Sequence, residues 1–165
     1  MPDTPRSAVS GPIAFIFGIN TQLLVNALAG LSEQDFVRRP TSLTNSAAWI
    51  AGHAIQTRAM ILGLLGDPVE TGWGAIFNRG AEPPSPDSLP TREAMLSLAA
   101  DIATRLQAKL ADLDDAALSA DAHGPKLPGV KSVTQMLSFF ALHDTYHVGQ
   151  LAYIRKALGY PQLVG

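Results

Sequence analysis

Apolar residues recur at helical spacing in four segments of the chain, and helix start and stop signals bound each segment. The first predicted helix runs from about Pro12, a residue favoured in a first turn, to about Gly30. The second starts near Asn45 as its N-cap and ends before Gly66 and Pro68. These two segments account for most of the N-terminal half of the chain.

Two further helices are predicted in the C-terminal half. The third opens at Thr91, directly after Pro90. The fourth opens with SVTQ (132 to 135), which has the form of a capping box, and it closes at Gly159, before Pro161. No pair of alternating strands and no internal repeat interrupts this pattern. The sequence therefore predicts an all-α fold, a four-helix bundle.

The connection between the second and third helices is far longer than an antiparallel turn requires. It covers residues 66 to 90, and its length could run along a whole helix. We therefore expect a long crossover, with helices 2 and 3 parallel. We expect this segment to help shape the substrate entrance, with Trp73 and Phe77 either pinning it to the bundle or lining a ligand pocket. The segment is rich in proline, with Pro68, Pro83, Pro84, Pro86 and Pro90.

Composition narrows the class of function. The chain has 165 residues, 47% of them apolar and 16% charged, with a formal net charge of -2. This length suits one domain over residues 1–165. The weak net charge does not indicate binding to nucleic acid or to an anionic membrane. Because the chain contains no cysteine, it has no disulfide, thiolate ligand or cysteine nucleophile. Any metal must be held by nitrogen and oxygen.

The first predicted helix also resembles a signal peptide. The segment GPIAFIFGINTQLLVNALAG (11 to 30) is apolar and ends in an Ala-Leu-Ala site. Against this interpretation, Asp3 accompanies Arg6 before the apolar stretch, and four polar residues interrupt it, which also argues against a membrane span. We therefore expect a cytoplasmic protein. The interrupting residues are Asn20, Thr21, Gln22 and Asn26.

Three of the four histidines fall on core-facing stripes, and the fourth, His123, lies in a predicted loop. A buried imidazole without a partner costs roughly 1–3 kcal/mol, so three in one small core require an explanation. Spacings of three and four residues define the stripes. The stripe on the fourth helix consists of Met136, Phe140, His143, His147, Gln150 and Ile154, and that on the second of Ile50, His53, Thr57, Met60 and Leu64.

A shared metal ion would explain the three histidines. Two histidines at i and i+4 on one helix can reach one ion, and a third from a facing helix completes a face with open positions. Nitrogen ligands favour zinc, nickel, copper or ferrous iron over magnesium or calcium. The alternative is that each histidine bonds separately within the core. The motif HDxxH also approaches that of zinc peptidases, but Asp144 is one methylene short of their glutamate.

Two motifs resemble the DinB-like superfamily. They are NSAAWIAGHAIQTRAMILGLLG on the second helix, with Trp-x-x-x-His, and HDTYHVGQLAYIRKALG on the fourth, with His-x-x-x-His-x-Gly-Gln. The resemblance implies a four-helix bundle connected up-down-down-up, in which His53, His143 and His147 hold a divalent metal. We expect zinc or nickel first, with iron as the alternative. Members include S-transferases and isomerases that use bacillithiol, mycothiol or glutathione, together with metal-dependent hydrolases.

Other polar residues are candidates for orienting a ligand or contacting substrate. Gln150 and Asn20 could do either, although a local hydrogen bond explains each equally well. We expect Asp144 to be solvated or to face a second subunit rather than to act in catalysis, and Tyr146 has the same ambiguity. We expect Gly149 to permit a close approach of two helices.

Three functional hypotheses follow. The first is a metal-dependent thiol transferase with a low-molecular-weight thiol as cofactor, and the second is a metal-dependent hydrolase that uses water. Thiol transfer is favoured because no glutamate accompanies the histidines on either stripe. The third is a non-catalytic, metal-stabilised or metal-free bundle that mediates association. We expect a small-molecule substrate, no nucleic acid and no membrane, and leave a homodimer open.

Overall fold

The computed structural model describes residues 7–78, 80–81 and 84–164, and within these ranges the fold is all-helical. Asp3, Arg6 and Pro83, used in the sequence arguments, lie outside the described residues. No strand forms within the described part, where Asp121 and Ser132 make one isolated β-bridge. The elements are α1 (Ser10–Leu28), α2 (Glu33–Val37), α3 (Ala47–Leu64), a 3₁₀ turn (Pro86–Ser88), α4 (Arg92–Asp112), α5 (Asp115–Ser119) and α6 (Val133–Ala157).

Helix caps confirm most of the predicted boundaries. The Thr91 hydroxyl accepts from the amide of Ala94 at the start of α4. Ser132 and Gln135 form the reciprocal capping box at the start of α6. The predicted N-cap of α3 was wrong by one residue, because the Ser46 hydroxyl, and not Asn45, accepts from the Trp49 amide.

The sequence did not predict α2 and α5. Each helix has five residues, too few to display a 3.6-residue period. Local capping defines both of them: Ser32 accepts from the amide of Asp35, and Asp114 accepts from the amide of Ala117. They flank the long helices and leave the bundle architecture unchanged.

The four long helices pack around one hydrophobic core. Helix α1 contacts α4 and α6, and α3 contacts the same two helices. Aromatic rings from three elements, Phe17, Phe36 and Phe77, are almost completely buried in this core. The helical bundle inferred from the periodicity is therefore present.

Helix α1 is long and apolar enough to cross a membrane by length and composition, the only such helix among the described residues. Within the fold it is a packed helix, because it lies against both α4 and α6. Its buried residues include Phe17, Asn20 and Leu24, and Asn20 Nδ2 donates to Thr145 Oγ1 at 2.9 Å. Core helices of soluble proteins have the same length and composition.

Arginines from other helices bind the C-terminal end of α1. Arg155 Nη1 donates to the carbonyls of Ala27 and Ala29, at 2.9 and 2.8 Å. Arg92 donates to the carbonyls of Leu28 and Leu31. Since α1 has no basic residue in its own last turn, these two guanidinium groups satisfy carbonyls that a helix end leaves free.

Asp144 occupies a different environment from the one expected. It is buried and forms an ion pair with Arg58 of α3, so the prediction of a solvated or subunit-facing carboxylate is wrong. The reason is that α6 packs against both α1 and α3, which gives it a wider buried arc than one stripe of residues.

Candidate metal centre

Helices α3 and α6 bring His53, His143 and His147 together. The Nε2 atom of His143 lies 3.1 Å from that of His147 and 3.4 Å from that of His53. Two nitrogen ligands, each ~2.0–2.1 Å from a tetrahedral metal, are roughly 3.3 Å apart. The three histidines could therefore hold one metal ion, and each offers one ligand atom within 4.8 Å of the others.

Outer hydrogen bonds select the ring nitrogen that faces the cluster. The Nδ1 atom of His53 lies 2.6 Å from the carbonyl oxygen of Phe77, and Nδ1 of His147 lies 2.7 Å from Oε1 of Gln150. Because both partners are acceptors, each Nδ1 carries the proton and donates it. The lone pair of each ring then lies on Nε2, the arrangement that metal-binding histidines show.

Burial keeps the imidazoles of α6 neutral. Desolvation, together with the neighbouring His147 and His53, lowers the pKa of His143 to about 4. Desolvation also lowers the pKa of His147. The Nδ1 atom of His143 is buried without a hydrogen-bond partner. Neutral imidazole is the form that binds a metal, so this pair is available to an ion at neutral pH without losing protons first.

Trp49 ties the connection between α3 and α4 to the site. Its ring stacks on His53, with centroids 5.1 Å apart, and its Nε1 donates to the carbonyl of Ile76 at 3.2 Å. The next carbonyl, that of Phe77, accepts from His53. Two successive loop carbonyls therefore bind two aromatic residues one turn apart on α3.

The ring of Phe77 also anchors this loop to α3. It is fully buried and lies on Gly52, where an added Cβ would come within 2.3 Å of the ring. Only a glycine allows this approach. The sequence around Trp49 and His53 thus sets both the ring orientation of His53 and the path of the loop.

A cavity of about 290 Å³ opens in front of the imidazoles. Trp49 and Tyr146 line it together with the three histidines. Within the described part of the chain, no carboxylate or fourth histidine joins the cluster. Three protein ligands beside a cavity are typical of catalytic metal sites, whereas structural sites are closed by a fourth ligand.

The remaining candidates lie at different distances from this cluster. Gln150 forms a hydrogen bond with His147, a member of the cluster, and its Nε2 donates to the hydroxyl of Tyr146. Asn20 contacts Thr145 instead. The Trp73 ring packs edge-on against Phe77 and is not among the residues that line the cavity.

The sequence motif included Trp49, but no role was predicted for Trp49, Arg58 or the carbonyl of Phe77. The first two had a signal, because Trp49 precedes His53 by one helical turn, and Arg58 is a charged residue inside an apolar helix. A backbone carbonyl has no sequence signature. His123, the histidine assigned to a loop, lies apart from the cluster and contacts the carbonyl of Leu64 through Nε2.

These features define an all-helical bundle with a three-histidine site that could bind a metal ion. The model of the DinB superfamily matches residues 17–151, and the chain belongs to that family. A crystal structure of a conserved protein from Enterococcus faecalis has a similar fold, with a TM-score of 0.72 and 14% identity over 92% of this chain and 97% of that one. No curated protein matches the chain.

Proposed function

We propose that this protein is a metal-dependent enzyme in which His53, His143 and His147 hold one divalent transition metal, zinc or nickel first and iron as the alternative. The observation that carries the proposal is the common direction of their Nε2 atoms, two of which are fixed by outer hydrogen bonds. Soft or borderline metals suit three neutral nitrogen donors better than magnesium or calcium.

Thiol transfer is the reaction that we propose, with bacillithiol, mycothiol or glutathione as the cofactor class. A bound metal would lower the pKa of a thiol or water molecule that reaches it. Use of water is assisted by a carboxylate base, and Asp144 is a poor candidate because Arg58 occupies both of its oxygens. A thiol, with an ordinary pKa of about 8.5, needs less help from the protein.

Two alternatives remain proposals of lower rank. A metal-dependent hydrolase would use the same histidines and water in place of the thiol. A non-catalytic bundle would use the site for stability or association alone. The cavity beside the donors favours catalysis over this second alternative, because a purely structural site needs no space for a ligand.

We also propose the up-down-down-up connection of the long helices. Asn20 meets Thr145, and Ala27 meets Arg155, which supports parallel α1 and α6. Gln107 of α4 meets Ala14 of α1, and Arg92 meets Leu28, which supports antiparallel α1 and α4.

The orientation of α3 follows from its contacts with α6. Contacts of His53 with His147 and of Arg58 with Asp144 support antiparallel α3 and α6. In this arrangement the described residues of the connection between parallel α3 and α4 (65–78, 80–81 and 84–91) cross the bundle.

For cellular context we propose a cytoplasmic protein that acts on a small molecule and binds neither nucleic acid nor membrane. The mild net charge and the packing of α1 inside the bundle support this context. Self-association into a homodimer remains a proposal that sedimentation of the purified protein would test.

Cobalt substitution tests the proposed reaction. The cobalt-loaded protein would be titrated with bacillithiol, mycothiol and glutathione, and a sulfur-to-metal charge-transfer band is expected with at least one of them. His53→Ala should remove the band and most of the bound metal, whereas His123→Ala should keep both.

Three outcomes would overturn parts of this proposal. Full metal content in the His53→Ala protein would reject the shared site. Absence of a band with every thiol, together with turnover of an ester or amide in thiol-free buffer, would assign the protein as a hydrolase. Absence of bound metal in the purified protein and after reconstitution would reject the enzyme altogether.

A further inference from the structure

A second cavity, of about 450 Å³, adjoins the three-histidine cavity. Tyr146 lines both cavities, so the two are neighbours across a single side chain. The walls of the second cavity are mainly apolar, formed by Leu43, Ile50, Tyr153 and Ile154. Thr44, Asn45 and Gln150 add neutral polar groups, and no charged side chain lines the cavity within the described part of the chain.

Gly149 forms part of this wall, although it lies inside the long helix α6. Glycine is the poorest helix former after proline, so an interior glycine usually has a packing reason. Here an added Cβ would meet nothing within 4 Å. The expectation that Gly149 permits a close approach of helices is therefore wrong. What its missing side chain does provide is the open volume of the cavity.

Tyr146 offers a hydrogen-bond donor at the boundary between the cavities. Its hydroxyl oxygen accepts from Nε2 of Gln150 at 3.1 Å, and the other end of that amide holds His147. Its hydroxyl proton has no acceptor among the described residues, and the side chain is 61% exposed. A ligand oxygen placed here would receive this proton close to the three imidazoles.

We propose that this second cavity binds the substrate, and that the substrate is an uncharged molecule with an apolar, aromatic-sized body and a carbonyl oxygen that accepts from Tyr146. The proposal rests on the proposed function, since it names the substrate class of the same site. An uncharged ligand matches walls without a charged partner, because a desolvated carboxylate would lie there unpaired. Gly149 keeps the space for the body, and Tyr146 directs the carbonyl toward the histidines.

Two probes of equal shape test the charge and position of the ligand. Benzylacetone is a neutral aryl ketone, and hydrocinnamate replaces its methyl group with a charged oxygen. Binding is followed by amide NMR shifts of α6 in metal-stripped protein, because a carboxylate would bind a metal directly. Benzylacetone should shift the amides around Gly149 and Tyr153 and bind at least about tenfold more tightly than hydrocinnamate.

Variants separate the role of the cavity from that of the metal. Gly149→Leu should fill the cavity and weaken benzylacetone at least tenfold, whereas Gly149→Ala, which changes the helix but adds one methyl group, should bind it within about twofold. Tyr146→Phe should weaken the ketone about fivefold through loss of one hydrogen bond. Zinc content after reconstitution should equal that of the unaltered protein in Gly149→Leu and in Gly149→Ala.

The outcomes decide between this inference and the proposed function. Unchanged ketone binding in Gly149→Leu, equal binding of both probes, no binding of either, or shifts confined to another face would overturn the substrate cavity. If benzylacetone binds with the expected pattern but the protein takes up none of zinc, nickel and iron, the cavity stands and the metal-dependent function falls. If the protein binds metal and its cobalt-loaded form shows a thiol band, but benzylacetone does not bind with the expected pattern, the function stands and this cavity is rejected.

Discussion

Arg58 of α3 and Asp144 of α6 form a buried ion pair with two parallel hydrogen bonds. Nε of Arg58 lies 3.0 Å from Oδ1 of Asp144, and Nη2 lies 2.7 Å from Oδ2. The side chains are 1% and 3% exposed, and a third donor, Nη1, reaches the hydroxyl of Thr21. Because Asp144 follows His143 directly, this pair joins the helix that carries His53 to the helix that carries the other two histidines.

Removing one member of this pair should be strongly destabilising. Arg58→Met would leave the Asp144 carboxylate buried without a partner, and we expect the free energy of unfolding to fall by about 3–5 kcal/mol. The double variant Arg58→Met with Asp144→Leu should recover most of this loss, because no buried charge remains. Urea denaturation of the three proteins measures both effects. Equal losses in the single and double variants would contradict the argument.

Gln150 should control metal affinity through His147. Gln150→Ala removes the acceptor that holds the Nδ1 proton of His147, and loss of such an outer hydrogen bond typically weakens metal binding 10–100-fold, the range we expect here. Gln107→Ala is the matched control, since Gln107 donates to the carbonyl of Ala14 between α4 and α1. Competition with a chromogenic chelator gives the affinities. An affinity for Gln150→Ala equal to that of the control would exclude this role.

Gly52 should be intolerant of even a methyl group. The Cβ of Gly52→Ala would lie 2.3 Å from Cζ of Phe77, so the ring must move. Overpacking of this kind costs about 1–3 kcal/mol, and displacement of Phe77 would also move the carbonyl that accepts from His53. We expect lower stability and weaker metal binding together. Gly149→Ala, which meets no neighbour, serves as the control, and a Gly52→Ala protein that resembles it in both measurements would show that the loop adapts freely.

The hydroxyl of Tyr160 should set the titration of Asp35. It donates to Oδ2 of Asp35 at 2.8 Å, and this hydrogen bond is the main cause that holds the pKa of Asp35 below its ordinary value of 3.8, followed by the hydroxyl of Ser32. With a folded-state pKa below the unfolded value, the contact stabilises the protein above the unfolded pKa. That contribution is lost as the pH falls through the folded pKa.

Tyr160→Phe removes this hydroxyl while keeping the ring beside Arg155. The pKa of Asp35 should rise toward 3.8, and the stability difference from the unaltered protein should shrink below that pH. NMR titration of the Asp35 carboxyl carbon measures the first effect, and acid denaturation the second. Tyr153→Phe is a control on an exposed tyrosine. An unchanged titration of Asp35 in Tyr160→Phe would assign the low pKa to Ser32 and Arg38 instead.

Much of the fold could be predicted because local signals and the apolar period agree. Ser132 and Gln135 defined the start of α6 by their spacing alone, and the structure has the same capping box. The burial of Asp144 could not be predicted in this way. Periodicity places it off the histidine stripe, and only the packing of α6 against two helices shows that this second face is buried too.

The candidate site, like the fold, could be predicted only in part from the sequence. Stripe analysis grouped His53, His143 and His147 on facing helices, since side chains three and four residues apart share a helix face. It placed them too deep, because only His147 is buried and the other two imidazoles are half-buried at the edge of the core. The orientation of each ring could not be read from the sequence, because it depends on a carbonyl at Phe77 and an amide rotamer at Gln150. Such contacts exist only after the loop and the helices have packed.

The arginines at the end of α1 have a consequence for the order of folding. Arg92 and Arg155 are separated from the carbonyls they bind by 64 and 128 residues, so the helix end is satisfied only after distant parts of the chain have met. Closing such large loops costs entropy before the contacts stabilise anything, so we expect these contacts to form late. Arg155→Lys should therefore speed unfolding and leave the refolding rate nearly unchanged in stopped-flow measurements, a φ-value near zero. Until these contacts form, we expect the last turn of α1 to fray, because its terminal carbonyls have no other side-chain partner among the described residues.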